Sequence, residues 1–192
     1  SIGHQLAVEN PNDNEIIDVV IPIPDSGNAS ALGYSEKIKK PFEFGIIRNH
    51  YTGRTFIEDS ISVRNLSVKL KHNPNIFSFK DKSIALVDDS IVRGTTSVKI
   101  VEMLRNCGVK NVHMRIASPP VKHPCFYGID TPTKEELLAS KFTIDQIKNY
   151  IGADSLKFVS LDGVYKALGF QNGREKEKPV SYTHLTLPTI LR

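Results

Sequence analysis

The sequence predicts an α/β fold in which a mostly parallel sheet is flanked by helices. Two stretches carry this prediction, because each consists of an apolar run, a turn of small residues and a helical segment. The first comprises residues 16–23, the turn 24–27 and the helical segment 28–39; in the second, residues 84–87 and a loop precede the helical segment 98–107. Short continuous apolar runs are typical of strands buried on both faces of a parallel sheet. Two such units joined by right-handed crossovers place a ligand site at the carboxyl ends of their strands.

The length and composition indicate one soluble domain. At 192 residues the chain can bury one substantial core. Its 25 basic residues exceed the 21 acidic ones by four and are interspersed, which is weak support for nucleic acid and fits a pocket for a phosphorylated small molecule equally well. No apolar run approaches bilayer-spanning length and the first residues lack a signal peptide, so we expect a cytoplasmic protein without membrane or nucleic-acid partners. Two cysteines are too few for a disulfide framework, which agrees with a reducing compartment.

The remaining elements are predicted from turn clusters and hydrophobic periodicity. Residues 1–15 are polar and contain the turn cluster Asn-Pro-Asn-Asp-Asn, so we interpret them as a connection. Gly108 and Gly169 are expected to end helices, and Thr133 with Glu136 forms a capping box. The other predicted elements are, in chain order, a strand at 43–47, a helix with a cationic edge at 60–71, a break at 73–75, an approach to the central strand at 77–83, a strand at 112–117, short helices at 134–139 and 144–151, a strand at 155–161 and a helix at 164–168.

The loop after residues 84–87 carries the chemistry of the second unit. Its backbone N–H groups lie at the positive end of a helix dipole, which suits a phosphate, and residues 94–97 offer hydroxyls that could cap the helix. Asp88 and Asp89 would repel a bare phosphate, so the ligand should also bring hydroxyl groups or a divalent cation. Ribose 5-phosphate with magnesium meets both demands. The loop lacks the glycine patterns of nucleoside triphosphate and dinucleotide sites, although Asp-Asp taken alone would also fit an ordinary strand that ends at a helix N-cap.

A longer pattern around this loop resembles a known family. Residues 87–96, Val-Asp-Asp-Ser-Ile-Val-Arg-Gly-Thr-Thr, resemble the phosphoribosylpyrophosphate-binding motif of type I phosphoribosyltransferases, in the form found in the glutamine-dependent amidotransferases. The likeness continues through residues 20–27, 48–57 and 118–130 and covers most of the chain between residues 18 and 169. It implies the type I phosphoribosyltransferase fold and the transfer of ammonia to phosphoribosylpyrophosphate. The products would be 5-phosphoribosylamine and pyrophosphate, at the first step of purine biosynthesis.

The resemblance also implies roles for individual residues near the motif. Asp88 and Asp89 would hold the ribose hydroxyls and magnesium. Ser26 would contribute to the magnesium and pyrophosphate site, and a helix N-cap is the alternative role for its hydroxyl. The 5-phosphate would be bound by the loop residues Ser90, Ile91, Val92, Arg93, Gly94, Thr95 and Thr96.

A mobile loop over residues 48–56 is implied as well. In the family such a loop folds over the substrate and excludes water from a reaction that develops oxocarbenium character at the anomeric carbon. Tyr51 and Arg54 would be its catalytic groups. From composition alone, a solvated basic loop is the alternative.

The resemblance further implies that the chain corresponds to a C-terminal portion of a longer enzyme, which would be a homo-oligomer. Residues 1–15 would connect to a glutaminase domain that supplies ammonia from glutamine, and residues 16–170 would form the phosphoribosyltransferase domain. Residues 171–192 are a charged end, with a charge run at 174–179, and a tail at 180–192 that has no counterpart in the family and resembles a translated cloning scar, so we expect it to be non-native. Cys125 corresponds to a ligand of the iron–sulfur cluster that one branch of the family binds. Because that cluster needs further thiolates, this chain does not support it, and we expect Cys125 to be a free thiol and Cys107 a small buried hydrophobe.

Three alternatives accompany this interpretation. A non-catalytic phosphoribosylpyrophosphate-binding regulator of transcription could share the fold, but the retention of residues 51–54 argues against it. A phosphoribosyltransferase that acts on a nucleobase is disfavoured by residues 23–27 and 124–130. The third alternative, an inactive fragment, stays open.

Overall fold

The computed structural model describes residues 1–48, 72–124 and 133–170. In these ranges the strands are β1 (Val19–Pro22), β2 (Ile46–Arg48), β3 (His72–Pro74), β4 (Ser83–Asp88), β5 (Asn111–Ile116) and β6 (Ser155–Phe158). Four of them form a parallel sheet in the order β1-β4-β5-β6. The predicted fold class is therefore confirmed, and its two strand-loop-helix units pair side by side through β1 and β4.

Helices cover both faces of this sheet. They are α1 (Ile2–Val8), α2 (Asp13–Ile16), α3 (Asn28–Ile38), α4 (Ile76–Phe79), α5 (Thr95–Asn106), α6 (Leu138–Lys141), α7 (Ile144–Ile151) and α8 (Leu161–Ala167), with a 3-10 turn at Lys134–Glu136. One core cluster lies between the sheet and α5, α6 and α7, and a second lies between the sheet and α1, α3 and α8. The helices on each face of the sheet therefore bury their apolar sides against the strands.

The strands β1 and β4 are buried along their whole length. Their side chains alternate between the two core clusters, with Ile84 and Leu86 on one face and Ala85 and Val87 on the other. The paired register, Val19 opposite Ile84 through Pro22 opposite Val87, brings the carboxyl ends of both strands to one edge. This arrangement explains why both sequences are continuous apolar runs instead of alternating ones.

Residues 1–15 were expected to be polar connecting chain, but they contain the helix Ile2–Val8 and the start of Asp13–Ile16, and α1 packs into the core. Their link to a glutaminase domain stays a prediction. The side chain of Ser1 accepts a hydrogen bond from the backbone N–H of His4 and so caps α1. Leu6 and Ala7 are buried in the second core cluster against α3 and α8. A helix of seven residues shows too few turns for its apolar face to stand out in the sequence.

A buried ion pair links this N-terminal segment to the sheet. Arg115 on β5 donates from Nε and Nη2 to the two carboxylate oxygens of Asp13, each at 2.6 Å, and both residues are buried. The hydroxyl of Tyr34 on α3 also donates to Asp13, and Nη1 of Arg115 donates to Ser155 on β6. Burial alone would raise the pKa of Asp13, but the hydrogen bond and charge of Arg115 outweigh it and lower that pKa. The carboxylate of Asp13 thus ties α2 to α3 and to β5, and Arg115 extends the network to β6.

Two predicted elements near β2 differ from the structure. The strand expected at 43–47 lies at Ile46–Arg48 and pairs antiparallel with His72–Pro74, apart from the main sheet. The break expected at 73–75 therefore begins inside β3. Pro74 is tolerated there because both strands of this two-stranded sheet are edge strands. Residues 77–83 include the end of the short helix Ile76–Phe79 in addition to the approach to β4.

The crossover from β5 to β6 and the last helix also show corrected boundaries. The helix expected at 134–139 is a 3-10 turn followed by a short helix at Leu138–Lys141. The last strand ends at Phe158, because Ser160 caps a helix that begins at Leu161 instead of residue 164. The helix Ile144–Ile151 has the predicted bounds, and Gly108 and Gly169 follow their helices with positive φ angles as expected.

Several predictions lie outside the described residues: the loop beyond Arg48 with Tyr51 and Arg54, the helix at 60–71, Cys125, and residues 171–192. None of the helices in the described ranges has the length and apolar character of a membrane span.

Replacing Asp13 with alanine should lower the free energy of unfolding by about 3–5 kcal/mol, because Arg115 would remain charged and unpaired in the core. Glu15→Ala is the matched control, since Glu15 is exposed on the same short helix, and it should change stability by no more than about 0.5 kcal/mol. Urea denaturation followed by circular dichroism measures both. Equal effects of the two substitutions would contradict the assigned role of the buried pair.

Candidate functional site

A cavity of about 350 Å³ lies at the carboxyl ends of β1 and β4. It is lined by Ile23, Pro24 and Ser26 from the loop after β1 and by residues 88–97 from the loop after β4 and the start of α5. The structure therefore brings Ser26, Asp88, Asp89 and the predicted loop residues 90–96 to one place. Their individual roles stay predictions.

Backbone contacts hold the two loops together at this edge. The N–H of Ile23 donates to the carbonyl oxygen of Val87 at 2.8 Å, and the N–H of Ala117 donates to that of Asp88 at 2.9 Å. A Cβ atom at Gly27 would lie only 2.4 Å from the same Val87 oxygen. Position 27 therefore needs glycine, because any side chain would push the loop after β1 away from the end of β4.

Asp88 is a buried carboxyl group at the end of β4, with 7% of its surface exposed. Its Oδ1 accepts a hydrogen bond from the N–H of Asp89 at 2.9 Å. Burial raises the pKa of Asp88 well above its ordinary value, and the negative charge of the exposed Asp89 raises it further; hydrogen bonds from the Asp89 backbone and from Ser26 offset only part of this effect. The pair is therefore suited to a cation or to ligand hydroxyl groups, both of which relieve the repulsion.

The helix α5 begins at the cavity without a side-chain cap. Gly94 is its N-cap residue, in the left-handed conformation with φ of 72°, and Thr95 already lies inside the helix. The prediction that hydroxyls from residues 94–97 cap this helix is therefore wrong, because glycine occupies the capping position and the hydroxyl-bearing residues follow it. The N–H groups of the first turn are left for a ligand, which is the usual arrangement of an anion site at a helix N-terminus.

The loop after β4 also contacts the 3-10 turn at Lys134–Glu136 and the start of α6. Arg93 donates from Nε to Oε1 of Glu136 at 3.0 Å, and the N–H of Leu138 donates to the carbonyl oxygen of Val92 at 3.0 Å. Sequence reasoning missed both partners. Glu136 had been recognised only as part of a capping box, and its contact with a residue 43 positions away leaves no local signal.

At the mouth of the cavity, Arg48 forms an ion pair with Asp25 of the loop after β1, at 2.8 Å between Nη1 and Oδ2. Both side chains are about half exposed, so the pair contributes little to stability. Arg48 is the last described residue before the segment with Tyr51 and Arg54, whose predicted catalytic roles the structure leaves untested.

The described residues were also compared with the donor sets of metal sites. In residues 1–48, 72–124 and 133–170, no three His, Cys, Asp or Glu side chains come together as a metal-binding group. Cys107 ends α5, is half-buried, and packs against the first core cluster. Because a four-cysteine cluster needs more thiolates than Cys107 and Cys125 can supply, an iron–sulfur cluster does not fit the residues of this chain.

Comparison with known proteins agrees with this geometry. Residues 2–119 match the family model described as phosphoribosyl transferase domain. The chain is 50% identical over 185 residues to an amidophosphoribosyltransferase of Rhizobium etli, covering 96% of this chain and 36% of that protein. It is 52% identical over 167 residues to the chloroplastic amidophosphoribosyltransferase 1 of Arabidopsis thaliana, covering 87% of this chain and 29% of that protein.

A solved structure shows the same architecture. The glutamine phosphoribosylpyrophosphate amidotransferase from B. subtilis, complexed with ADP and GMP, superposes with a TM-score of 0.79 at 44% identity, covering 95% of this chain and 38% of that chain. The chain therefore spans about a third of the length of the curated relatives it matches.

Replacing Asp88 with asparagine should stabilise the protein in magnesium-free buffer at neutral pH. Because the folded-state pKa of Asp88 is raised, the folded protein binds this proton more tightly than the unfolded chain, and stability falls as the pH rises from the ordinary carboxyl range through the raised pKa. An asparagine at position 88 does not titrate, so the variant does not lose stability over this pH range. We expect a melting temperature at least ~2 °C higher, the shift that about 1 kcal/mol produces in a domain of this size. Asp81→Asn, at an exposed turn, should leave it unchanged, and a lower melting temperature for Asp88→Asn would contradict the account.

Replacing Gly94 with alanine should destabilise more than the same change at Gly152. Both glycines have nearly the same positive φ, 72° and 74°, so the conformational cost of about 1–2 kcal/mol is shared. At Gly94 the new Cβ would lie 2.4 Å from Cδ1 of Leu138, whereas at Gly152 the nearest atom is an ordinary 3.8 Å away. Chemical denaturation of the two variants measures the difference. Equal losses would mean that Leu138 moves aside without cost.

Proposed function

The chain belongs to the phosphoribosyl transferase domain family and has the type I phosphoribosyltransferase fold, and from this premise we propose that its cavity binds phosphoribosylpyrophosphate. The observation that carries the proposal is the juxtaposition at the end of β4. The buried carboxyl group of Asp88 and the exposed carboxylate of Asp89 beside it line the same cavity as the uncapped N-terminus of α5. Few ligands offer both a phosphate for the helix N-terminus and neighbouring hydroxyl groups for the carboxylates. Ribose 5-phosphate offers both.

The proposed arrangement follows from charge. The 5-phosphate accepts hydrogen bonds from the N–H groups of residues 90–96 at the positive end of the helix dipole. The ribose hydroxyls donate to Asp88 and Asp89. The hydrogen bonds from the Asp89 N–H and from Ser26 hold the Asp88 carboxylate in place before the ligand arrives.

Magnesium fits this donor set. Asp88, Asp89 and Ser26 line one cavity and offer oxygen atoms, the ligands that magnesium prefers. The pKa of Asp88 is raised first by burial and then by the charge of Asp89, and a divalent cation would stabilise the charged form of this carboxylate. When bound, magnesium would neutralise charge on the departing pyrophosphate. The remaining ligands would come from the substrate and water.

We propose that the reaction is the amidophosphoribosyl transfer for which the relatives are named. The nitrogen lone pair of ammonia forms a bond to the anomeric carbon, the bond from that carbon to the pyrophosphate oxygen breaks, and the electron pair leaves with pyrophosphate. The nitrogen then loses a proton to solvent. The residues of this chain contribute by orientation and charge complementarity, and Tyr51 and Arg54 remain our proposed groups for closing the site over the reacting centre.

The longer relatives bear on the source of ammonia. The B. subtilis structure is named a glutamine-dependent enzyme, so we propose that glutamine supplies the ammonia through a part of the protein that this chain does not span. By the family resemblance the reaction would open purine biosynthesis, and the full-length enzyme would be a homo-oligomer. The cytoplasmic location also stays a prediction, because one relative is chloroplastic.

A direct test is the release of pyrophosphate from phosphoribosylpyrophosphate with magnesium and a high concentration of ammonium salt. Asp88→Asn and Asp89→Asn should each slow the release by about 10- to 100-fold, since each removes hydrogen bonds between a charged group and the ribose. Asp81→Asn is the control and should retain the wild-type rate.

The outcomes separate the alternatives. Release that requires ammonia and Asp88 supports the transferase. Magnesium-dependent binding of phosphoribosylpyrophosphate by calorimetry, without release, would indicate a non-catalytic binding protein or an inactive fragment. Absence of binding would contradict the proposed ligand itself.

A further inference from the structure

The 90–94 loop is in contact with the crossover that joins β5 to β6, of which residues 117–124 and 133–154 are described. The contacts come from residues 133–154 of this crossover, which lie outside the four stretches that carry the family resemblance. We propose that Glu136 is a positioning residue that keeps the 90–94 loop in its phosphate-binding shape, an inference that rests on the proposed function of that loop. Three sets of contacts support it.

The first contact is the ion pair between Glu136 and Arg93. The Nε of Arg93 donates to Oε1 of Glu136 at 3.0 Å, while Oε2 of the same carboxylate accepts the backbone N–H of Thr133 at 3.3 Å. The hydrogen bond from Thr133, within the same turn, therefore holds the Glu136 carboxylate in position to accept the hydrogen bond from Arg93. The hydrogen bond from Arg93 lowers the pKa of Glu136, so the carboxylate is charged throughout the neutral range.

The second contact is made by Leu138. Its N–H donates to the carbonyl oxygen of Val92 at 3.0 Å, which extends a backbone hydrogen bond from the crossover to the loop. Its side chain lies so close to Gly94 that a Cβ there would be 2.4 Å from Cδ1. Consecutive residues of the loop, Val92, Arg93 and Gly94, are therefore each in contact with the turn at 136–138.

The third contact is at the other end of the helix that follows the loop. Arg105, in the last turn of α5, donates from Nη2 to the carbonyl oxygen of Gly152 at 2.9 Å and to Asp154 at 2.8 Å. Ile147 and Ile151 of the crossover are buried in the core beside α5. One segment thus contacts the loop, the helix face and the helix end, so that the loop and α5 have a common support.

The charge arrangement gives this support a functional meaning. Arg93 is the only cationic side chain in residues 90–96, and its Nε is held by the hydrogen bond to Glu136. Recognition of the phosphate then depends on backbone N–H groups, whose positions depend on the shape of the loop. Loss of Glu136 would release Arg93 and the loop, and would weaken phosphate binding without removing any group that touches the ligand.

The test compares Glu136→Ala with Glu135→Ala, its exposed neighbour in the same 3-10 turn. We expect Glu136→Ala to bind ribose 5-phosphate roughly two- to fivefold more weakly in isothermal titration calorimetry, the range that an exposed ion pair supports. Glu136→Gln should recover much of the affinity, because its amide oxygen can still accept from Arg93. Glu135→Ala should bind as the wild type does, and binding of magnesium pyrophosphate should be the same in all four proteins.

Hydrogen exchange of the ligand-free proteins gives a second readout that does not depend on the proposed ligand. The backbone of residues 90–97 should exchange faster in Glu136→Ala than in the wild type or Glu135→Ala, with the melting temperature unchanged. Equal exchange, or equal ribose 5-phosphate affinity in a wild type that binds it, would overturn the positioning role. If the wild type bound neither ribose 5-phosphate nor phosphoribosylpyrophosphate, the proposed function would fail, and the exchange rates alone would decide whether Glu136 orders the loop.

Discussion

The parallel pairing of β1 with β4 is the constraint on which the rest of the structure depends. Both strands are buried on both faces, so their register is fixed by the two core clusters at once. Because the strands are parallel, their carboxyl ends meet at one edge and each delivers its loop there. The hydrogen bond from Ile23 to Val87 and the close approach of Gly27 then bring the loop after β1 against the end of β4. The cavity is the consequence of this pairing.

Two acids, Asp13 and Asp88, are buried among the residues that the structure describes, and their surroundings differ in charge. Asp13 is neutralised by two hydrogen bonds from Arg115 and a third from Tyr34, so its charge ties α2 to the sheet. Asp88 has no cationic partner among the described residues and has the charge of Asp89 beside it. The arrangement around Asp13 is suited to stability. The arrangement around Asp88 is suited to binding a cation or the hydroxyl groups of a ligand. The contrast is independent of sequence motifs and supports the role proposed for Asp88.

The sequence predicted those parts of the fold that have a local signal. The apolar runs of β1 and β4 and the strong amphipathic pattern of Ile144–Ile151 gave correct elements, because their burial follows directly from residue period. The helix Ile2–Val8 was missed because so short a helix leaves no clear pattern. Capping by hydroxyls at α5 was wrong because Gly94 adopts a left-handed conformation that other residues avoid. The pairs Asp13 with Arg115 and Arg93 with Glu136 join residues 102 and 43 positions apart, and no local rule finds such partners.

The ion pair between Asp13 and Arg115 has a further consequence for where this domain can be cut and recombined. A truncation that began at β1 would leave the guanidinium of Arg115 buried without its carboxylate partner. It would also expose the apolar side chains of α3 that pack against α1. Any graft of this unit onto another protein must therefore carry the two N-terminal helices with it. The first strand is therefore not a boundary of this unit, because the packing around its sheet extends to α1 and α2.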